Sequence, residues 1–112
     1  MLFPYHGGQP ALRSRFYHQC RPDEVDWAMG KLRPQALKPF TETTPLQKWP
    51  PVPSSYIVCT EDRACNPAWS RRAARSRLEI EPIELVGSDH SPFLSRPAEL
   101  AALLIQLACE GE

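Results

Sequence analysis

The sequence Ile83-Glu84-Leu85-Val86-Gly87-Ser88-Asp89-His90-Ser91-Pro92-Phe93 decides the class of fold. Its short apolar beginning predicts a buried strand over residues 83–86, and the Gly-Ser-Asp run that follows predicts a loop. Ser95 and Pro97 then open a last helix, because proline is favoured in a first helical turn. His90 therefore lies on a loop between a strand and a helix, which indicates an α/β chain.

A second strand with an acidic residue at its end lies upstream. Residues 55–60 are short, β-branched and aromatic, as in a buried strand, and Asp62 follows them. Asn66 and Pro67 are an N-cap and first-turn pair for a helix that reaches about residue 77. Because a β-α-β order implies parallel strands, we expect Asp62 and His90 to lie at the same edge of the sheet.

Asp62 and His90 have the chemistry of a catalytic pair. Imidazole gains and loses a proton near neutral pH, and a carboxylate on its second ring nitrogen fixes its tautomer and orientation. The spacing leaves a second interpretation open, in which Asp62 caps the turn that follows it and His90 caps the last helix or its loop.

The chain divides into three segments at the sequence level. We expect an irregular lead-in over residues 1–13, a helical segment with a proline-rich connector over residues 14–54, and a β-α-β-α segment over residues 55–112. From Ser14 the pattern is helical, with Phe16, Tyr17 and Cys20 at helical spacing. A second helix begins at Pro22, with Asp23 and Glu24 in its first turn, and ends at Pro34. Between residues 34 and 54 we expect an extended connector with a few aromatic anchors. The last helix has an apolar stripe at helical spacing: Leu100, Leu103, Leu104, Leu107 and Ala108.

Composition argues against several classes of partner. The formal net charge is zero, with 13 basic and 13 acidic residues, so a general attraction to nucleic acid or to an anionic membrane is not expected. Arg71, Arg72, Arg75 and Arg77 are followed by glutamates, which favours a solvated helix face over an anion-binding or nucleic-acid-binding patch. The chain has neither a spanning segment nor a signal-like beginning, so we expect a cytoplasmic location.

The four cysteines have no metal-site spacing, and we expect reduced, mostly buried thiols. No metal or other cofactor is predicted. A thiol nucleophile is not favoured either, because neither Cys59 nor Cys65 has a basic or helix N-terminal setting.

Four segments resemble the esterase and hydroxynitrile-lyase group of α/β-hydrolases: FYHQCRPDEVDWA over 16–28, RPQALKPF over 33–40, PSSYIVCTEDRA over 53–64 and GSDHSPFLSRPAELA over 87–101. The match is nearest to bacterial alkyl-salicylate-esterase-like members. It implies the C-terminal part of an α/β-hydrolase fold: a helical lid segment plus two β-α units of a parallel sheet. It also implies that Asp62 is the triad acid and His90 the general base. Ser91 stands where the cyanohydrin lyases of the group carry lysine, which favours the esterase branch.

The serine that such a pair would activate is not found, because no Gly-x-Ser-x-Gly occurs in the 112 residues. Ser88 and Ser91 lie on the same loop as His90 and are poorly placed to replace it. We therefore expect a remnant or fragment of a serine carboxylesterase for small esters, inactive by itself. The alternative is a non-catalytic binding or regulatory module, formed as a homo-oligomer or with a separately encoded N-terminal half.

Overall fold

The structure is a computed structural model that describes residues 8–111, so the predicted lead-in over residues 1–7 lies outside the described residues. The elements in chain order are α1 (Gly8–Phe16), α2 (Pro22–Met29), α3 (Lys38–Thr41), β1 (Ile57–Cys59), α4 (Pro67–Arg77), β2 (Ile83–Leu85), α5 (Pro92–Ser95) and α6 (Pro97–Glu110).

The two strands form a parallel sheet, which confirms the predicted β-α-β arrangement. Ile57 pairs with Ile83 and Cys59 with Leu85. Val58 is 1% exposed and faces the buried side of α4, where Ala73 and Ala74 are also buried. The small alanine side chains let the helix lie close to the strand. This β-α-β unit contains most of the buried apolar residues, and it positions the site.

Helix α4 begins where its sequence signals predict. The Asn66 side chain accepts hydrogen bonds from the backbone N–H groups of Ala68 (2.9 Å) and Trp69 (3.4 Å), and Pro67 occupies the first helical position. These two residues satisfy the free amide groups of the first turn and fix its backbone angle. A local signal of this kind is sufficient to locate the start of a helix.

Two arginines of the basic face of α4 form ion pairs, which the sequence did not predict. Arg71 binds the Glu84 carboxylate through two nitrogens at 2.6 and 3.1 Å, and Arg75 binds Glu81 at 3.1 Å. The hydrogen bonds from Arg71 hold the pKa of Glu84 below its ordinary value. These pairs are solvent-exposed, so each contributes little to stability.

The first helix departs from the prediction, because α1 begins at Gly8 and residues 8–13 are helical, not irregular. None of its residues is buried, and the helical pattern predicted from Ser14 overlaps only its end, because α1 stops at Phe16 and does not reach Cys20. An ion pair of 2.6 Å between Arg13 and Asp26 joins α1 to α2. Helix α2 has its predicted start at Pro22 and ends at Met29, before the predicted end at Pro34.

The connector over residues 34–54 contains only the short helix α3, and its expected aromatic anchors are not buried. Phe40 is 63% exposed and Trp49 is 44% exposed. The Trp49 indole N–H donates to the nearby Ser54 hydroxyl at 3.1 Å. The connector therefore follows the surface, as its repeated prolines favour, and these two aromatic side chains are not part of the core.

The last helix forms as predicted, although Arg96, and not Ser95, is its N-cap. Ser95 belongs to the preceding turn of helix, α5. No residue of α6 is buried, and Leu104 and Ile105 are both more than half exposed. Of its predicted apolar stripe, Leu100, Leu103 and Leu107 are half-buried, whereas Leu104 and Ala108 are exposed among the described residues.

Two further features bear on the expectations from sequence. All four cysteines are free thiols, but Cys20, Cys59 and Cys65 are only half-buried and Cys109 is exposed, so the expectation of mostly buried thiols was wrong. In the described part of the chain, none of the helices has the length and apolar character that crossing a membrane requires.

Candidate active site

The loop that carries His90 is fixed at its first residue, Gly87. This glycine has a φ of +80°, and its N–H donates to the Thr60 hydroxyl at 2.7 Å. Arg96 donates to the Gly87 carbonyl at 2.8 Å and to the Val86 carbonyl at 3.1 Å. A Cβ atom at Gly87 would lie 3.0 Å from an Arg96 nitrogen. Backbone conformation and close approach both require glycine here.

The loop that carries Asp62 is shaped by the Asp62 side chain itself. Its Oδ1 accepts hydrogen bonds from the backbone N–H groups of Ala64 and Cys65, both at 2.8 Å. The Glu61 N–H donates to the Ser88 carbonyl at 2.9 Å and joins this loop to the His90 loop. Asp62 therefore caps the turn that follows it, as the second interpretation from sequence proposed.

The same carboxylate also contacts His90. The Nδ1 atom of His90 lies 2.9 Å from Asp62 Oδ2 and 3.1 Å from Oδ1. The Asp62 side chain is 10% exposed and the His90 side chain 35% exposed. The structure thus brings the two predicted site residues together, and it places Ser91 and Arg96, not His90, at the helix N-caps.

The opposite side of the His90 ring is open. Among residues 8–111, no hydrogen bond reaches its Nε2 atom. The Phe16 ring packs edge-on against the imidazole, with centroids 5.0 Å apart and planes at 65°. An imidazole whose Nδ1 is bound by a carboxylate, and whose Nε2 is free, can take a proton from a group placed opposite Nε2.

An open cleft of about 340 Å³ lies beside the pair and is lined by Ser55, Tyr56, Ile57, Cys59, Asp62, Cys65, Ser70 and His90. Burial raises the pKa of the Cys59 thiol, which keeps this sulfur protonated and a poor nucleophile at neutral pH. Within the described residues, no three His, Cys, Asp or Glu side chains are grouped so that they could hold a metal ion.

Two neighbours of His90 were missed at the sequence level. Phe16 lies 74 positions away, at the end of a helix whose start the sequence does not indicate, and no signal predicts its contact with the imidazole. Asp89 precedes His90 directly, is fully buried and accepts several hydrogen bonds. A charged residue in a Gly-Ser-Asp loop is normally predicted to be exposed to solvent, so the burial of Asp89 could be found only from the structure.

Comparison with known proteins identifies the family. A family model described as "Alpha/beta hydrolase family" matches residues 2–103. Salicylic acid-binding protein 2 of Nicotiana tabacum is 30% identical over 109 residues, which are 90% of this chain and 40% of that protein. Norfluorocurarine synthase 2 of Strychnos nux-vomica is 29% identical over 111 residues, with 92% of this chain and 40% of that protein covered.

A solved structure shows the same fold. The crystal structure of polyneuridine aldehyde esterase superposes with a TM-score of 0.74 at 19% sequence identity, over 90% of this chain and 41% of that one. The chain thus spans about 40% of the length of these relatives. The match confirms the predicted fold class, the C-terminal part of an α/β-hydrolase fold. The chain belongs to the α/β-hydrolase family and resembles its esterases.

Proposed function

We propose that this chain carries the acid and base of a serine carboxylesterase site for small esters, with His90 as general base and Asp62 as the acid that orients it. The observation that carries this proposal is the 2.9 Å contact between His90 Nδ1 and Asp62 Oδ2. Both residues follow parallel strands, at the edge where α/β sheets bind ligands. The esterase named among the structural relatives supports the reaction class.

The geometry supports a defined sequence of proton transfers. Asp62 accepts a hydrogen bond from the Nδ1–H group, which keeps that proton on Nδ1 and leaves the lone pair of Nε2 free to take the proton of a serine hydroxyl. The serine oxygen then attacks the ester carbonyl, and the imidazolium, stabilised by Asp62, returns its proton to the departing alkoxide. A water molecule activated in the same way releases the carboxylic acid from the serine.

The chain by itself should hydrolyse no ester at a useful rate, because no hydroxyl of residues 8–111 hydrogen-bonds His90 Nε2. The test compares p-nitrophenyl acetate hydrolysis by the purified chain, by His90→Ala and by free imidazole at equal concentration. We expect the chain and the variant to be no faster than imidazole. A rate well above imidazole that His90→Ala abolishes would overturn the proposed inactivity.

A chimaera tests the proposed roles of the two residues. The part of the tobacco relative that precedes its aligned segment would be joined to this chain. We expect esterase activity that His90→Ala and Asp62→Ala each abolish. Glu84→Gln is the matched control, since it removes a carboxylate from an ion pair on the outer face of the unit. A folded chimaera without activity would contradict the proposal.

A second candidate function is docking to a separately encoded N-terminal half, and the open edge of β1 favours it. The Tyr56 carbonyl accepts a hydrogen bond from the Ile83 N–H, and the Thr60 N–H donates to the Leu85 carbonyl, so both groups face β2. Because backbone groups alternate in direction along a strand, those of Ile57 and Cys59 point to the opposite edge, along the cleft. An unpaired edge is a template for another strand. A stable 1:1 complex with such a half in size-exclusion and pull-down experiments would support this function. A chain that stays monomeric beside it, or that pairs only with itself, would count against it. A cytoplasmic location stays a prediction.

A further inference from the structure

Asp89 is the most deeply buried charged residue among those described, with 0% of its surface exposed. Its Oδ1 accepts hydrogen bonds from the Ser91 N–H (3.1 Å) and the Ser95 hydroxyl (2.7 Å). Its Oδ2 accepts from the Gln19 N–H (3.1 Å) and the Cys20 thiol (3.6 Å). A buried carboxylate is costly unless such donors surround it, so these four contacts form a built anchor and not a chance arrangement.

The anchor is reciprocal, because the Asp89 backbone N–H donates to the Gln19 side-chain oxygen at 3.1 Å. Gln19 and Asp89 therefore hold each other through two hydrogen bonds across 70 positions of sequence. Gln19 lies between α1 and α2, and α1 ends at Phe16, whose ring packs on His90. The helical segment and the histidine loop are thus tied together at one point.

The anchor holds the backbone on both sides of His90. Asp89 N–H and Ser91 N–H, the amide groups on either side of His90, are both held by it. With the backbone fixed on both sides, the imidazole is presented to Asp62 at 2.9 Å. A displacement of the loop by about 1 Å would take this contact beyond hydrogen-bond distance.

The state of the neighbouring thiol agrees with an anchor that stays intact. Burial, together with the nearby charge of Asp89, raises the pKa of the Cys20 thiol to about 12. Cys20 therefore remains a protonated donor toward Asp89 over the whole neutral range. Nothing in this arrangement places Asp89 on the open cleft beside His90, so it has no direct contact with a reacting group.

We infer that Asp89 is a positioning residue for His90: through Gln19 and Ser95 it holds the imidazole in the orientation in which Nδ1 faces Asp62. This inference rests on the proposed function only in giving the orientation a catalytic role, because the orientation of the His90 ring can be measured without any reaction. The corresponding structural interpretation, that Asp89 only stabilises the fold, predicts no change at the His90 ring in a variant that remains folded.

The test uses nitrogen-detected NMR of the histidine rings in the full chain. The wild-type chain should show His90 with its proton on Nδ1 and with slow exchange of that proton. In Asp89→Asn a carboxamide NH₂ group replaces one of the two acceptor oxygens. We therefore expect the His90 Nδ1 proton to exchange at least about tenfold faster, because about tenfold corresponds to the loss of one buried hydrogen bond. The ring should also populate both tautomers. Glu84→Gln, which removes the same charge from an exposed pair, should leave both signals unchanged.

Two milder variants test the positioning role of Asp89 if Asp89→Asn does not fold. Ser95→Ala removes one donor to Asp89, and Gln19→Ala removes the acceptor of its N–H. Each should accelerate exchange of the His90 Nδ1 proton while circular dichroism stays that of the wild type. If folded variants of all three positions keep the wild-type tautomer and exchange rate, the inference is wrong. An inactive chimaera with a responsive His90 signal would instead reject only the esterase proposal.

Discussion

Two substitutions of Asp62 separate the tasks of its two carboxylate oxygens. Oδ1 accepts the backbone N–H groups of Ala64 and Cys65 at 2.8 Å, whereas Oδ2 is the oxygen nearer to His90 Nδ1. Asp62→Asn keeps a carbonyl oxygen for the two backbone bonds and places an NH₂ group opposite the imidazole. Asp62→Ala removes both sets of contacts.

The expected magnitudes follow from the number of donors left unpaired. Asp62→Ala leaves the Ala64 and Cys65 N–H groups without their acceptor, and the half-exposed turn lets water replace part of the loss. We expect this variant to lose about 2–3 kcal/mol of unfolding free energy and Asp62→Asn about 1 kcal/mol. In Asp62→Asn the amide N–H requires an acceptor on His90, so the ring proton should move from Nδ1 to Nε2.

Urea denaturation measures the first effect, and the nitrogen shifts of the His90 ring measure the second. In the chimaera, Asp62→Asn should lower esterase activity by about 10³- to 10⁴-fold, because a protonated Nε2 cannot accept the serine proton. Two results would refute the reasoning: equal stability of the Asn and Ala variants, or a ring proton that remains on Nδ1 in Asp62→Asn.

Three further predictions concern backbone geometry and pH. Gly87→Ala should lower the unfolding free energy by about 1–2 kcal/mol, because φ is +80° and the added Cβ lies 3.0 Å from Arg96; an unchanged thermal melt would contradict this. Glu79 has a φ of +57° just beyond α4, so Glu79→Gly should raise that free energy by about 0.5–1 kcal/mol, and a loss of stability would argue against strain there. Because folding raises the pKa of Cys20 from 9.0 to about 12, its thiol contribution to stability should be complete below pH 9 and decline between pH 9 and about 12. Urea midpoints across this range should fall less in Cys20→Ser, which has no thiol to ionise; parallel curves would show that Cys20 is not the group responsible.

Those parts of the fold that depend on local chemistry could be predicted from the sequence. The Asn66-Pro67 pair marks the start of α4 because both residues act within one turn. The parallel pairing of β1 and β2 follows from the strand-helix-strand order, because a helical crossover returns the chain to the same edge of the sheet and the second strand then runs parallel to the first. The meeting of Asp62 and His90 is a geometric consequence of the same order.

The parts that were missed depend on contacts distant in sequence or on the absence of an apolar face. Helix α1 has no buried residue, so no apolar stripe marks its start at Gly8. The burial of Asp89 requires Gln19 to lie against it, 70 positions away. Trp49 was expected to anchor the connector, but an aromatic residue is buried only where a surface is available to cover it.

The arrangement at His90 links the two proposed functions of the chain. The Nδ1 side is completed by Asp62 and supported by the Gln19–Asp89 hydrogen bonds, so it is preorganised within this part of the fold. The Nε2 side opens to a cleft that also contains one edge of β1, at Ile57 and Cys59, and no strand of residues 8–111 pairs with this edge. A strand added in parallel at that edge would end beside the cleft, because parallel strands place their carboxyl ends together. We expect a complementing half that restores ester hydrolysis also to pair with this edge, and therefore to make the thermal unfolding of this chain more cooperative.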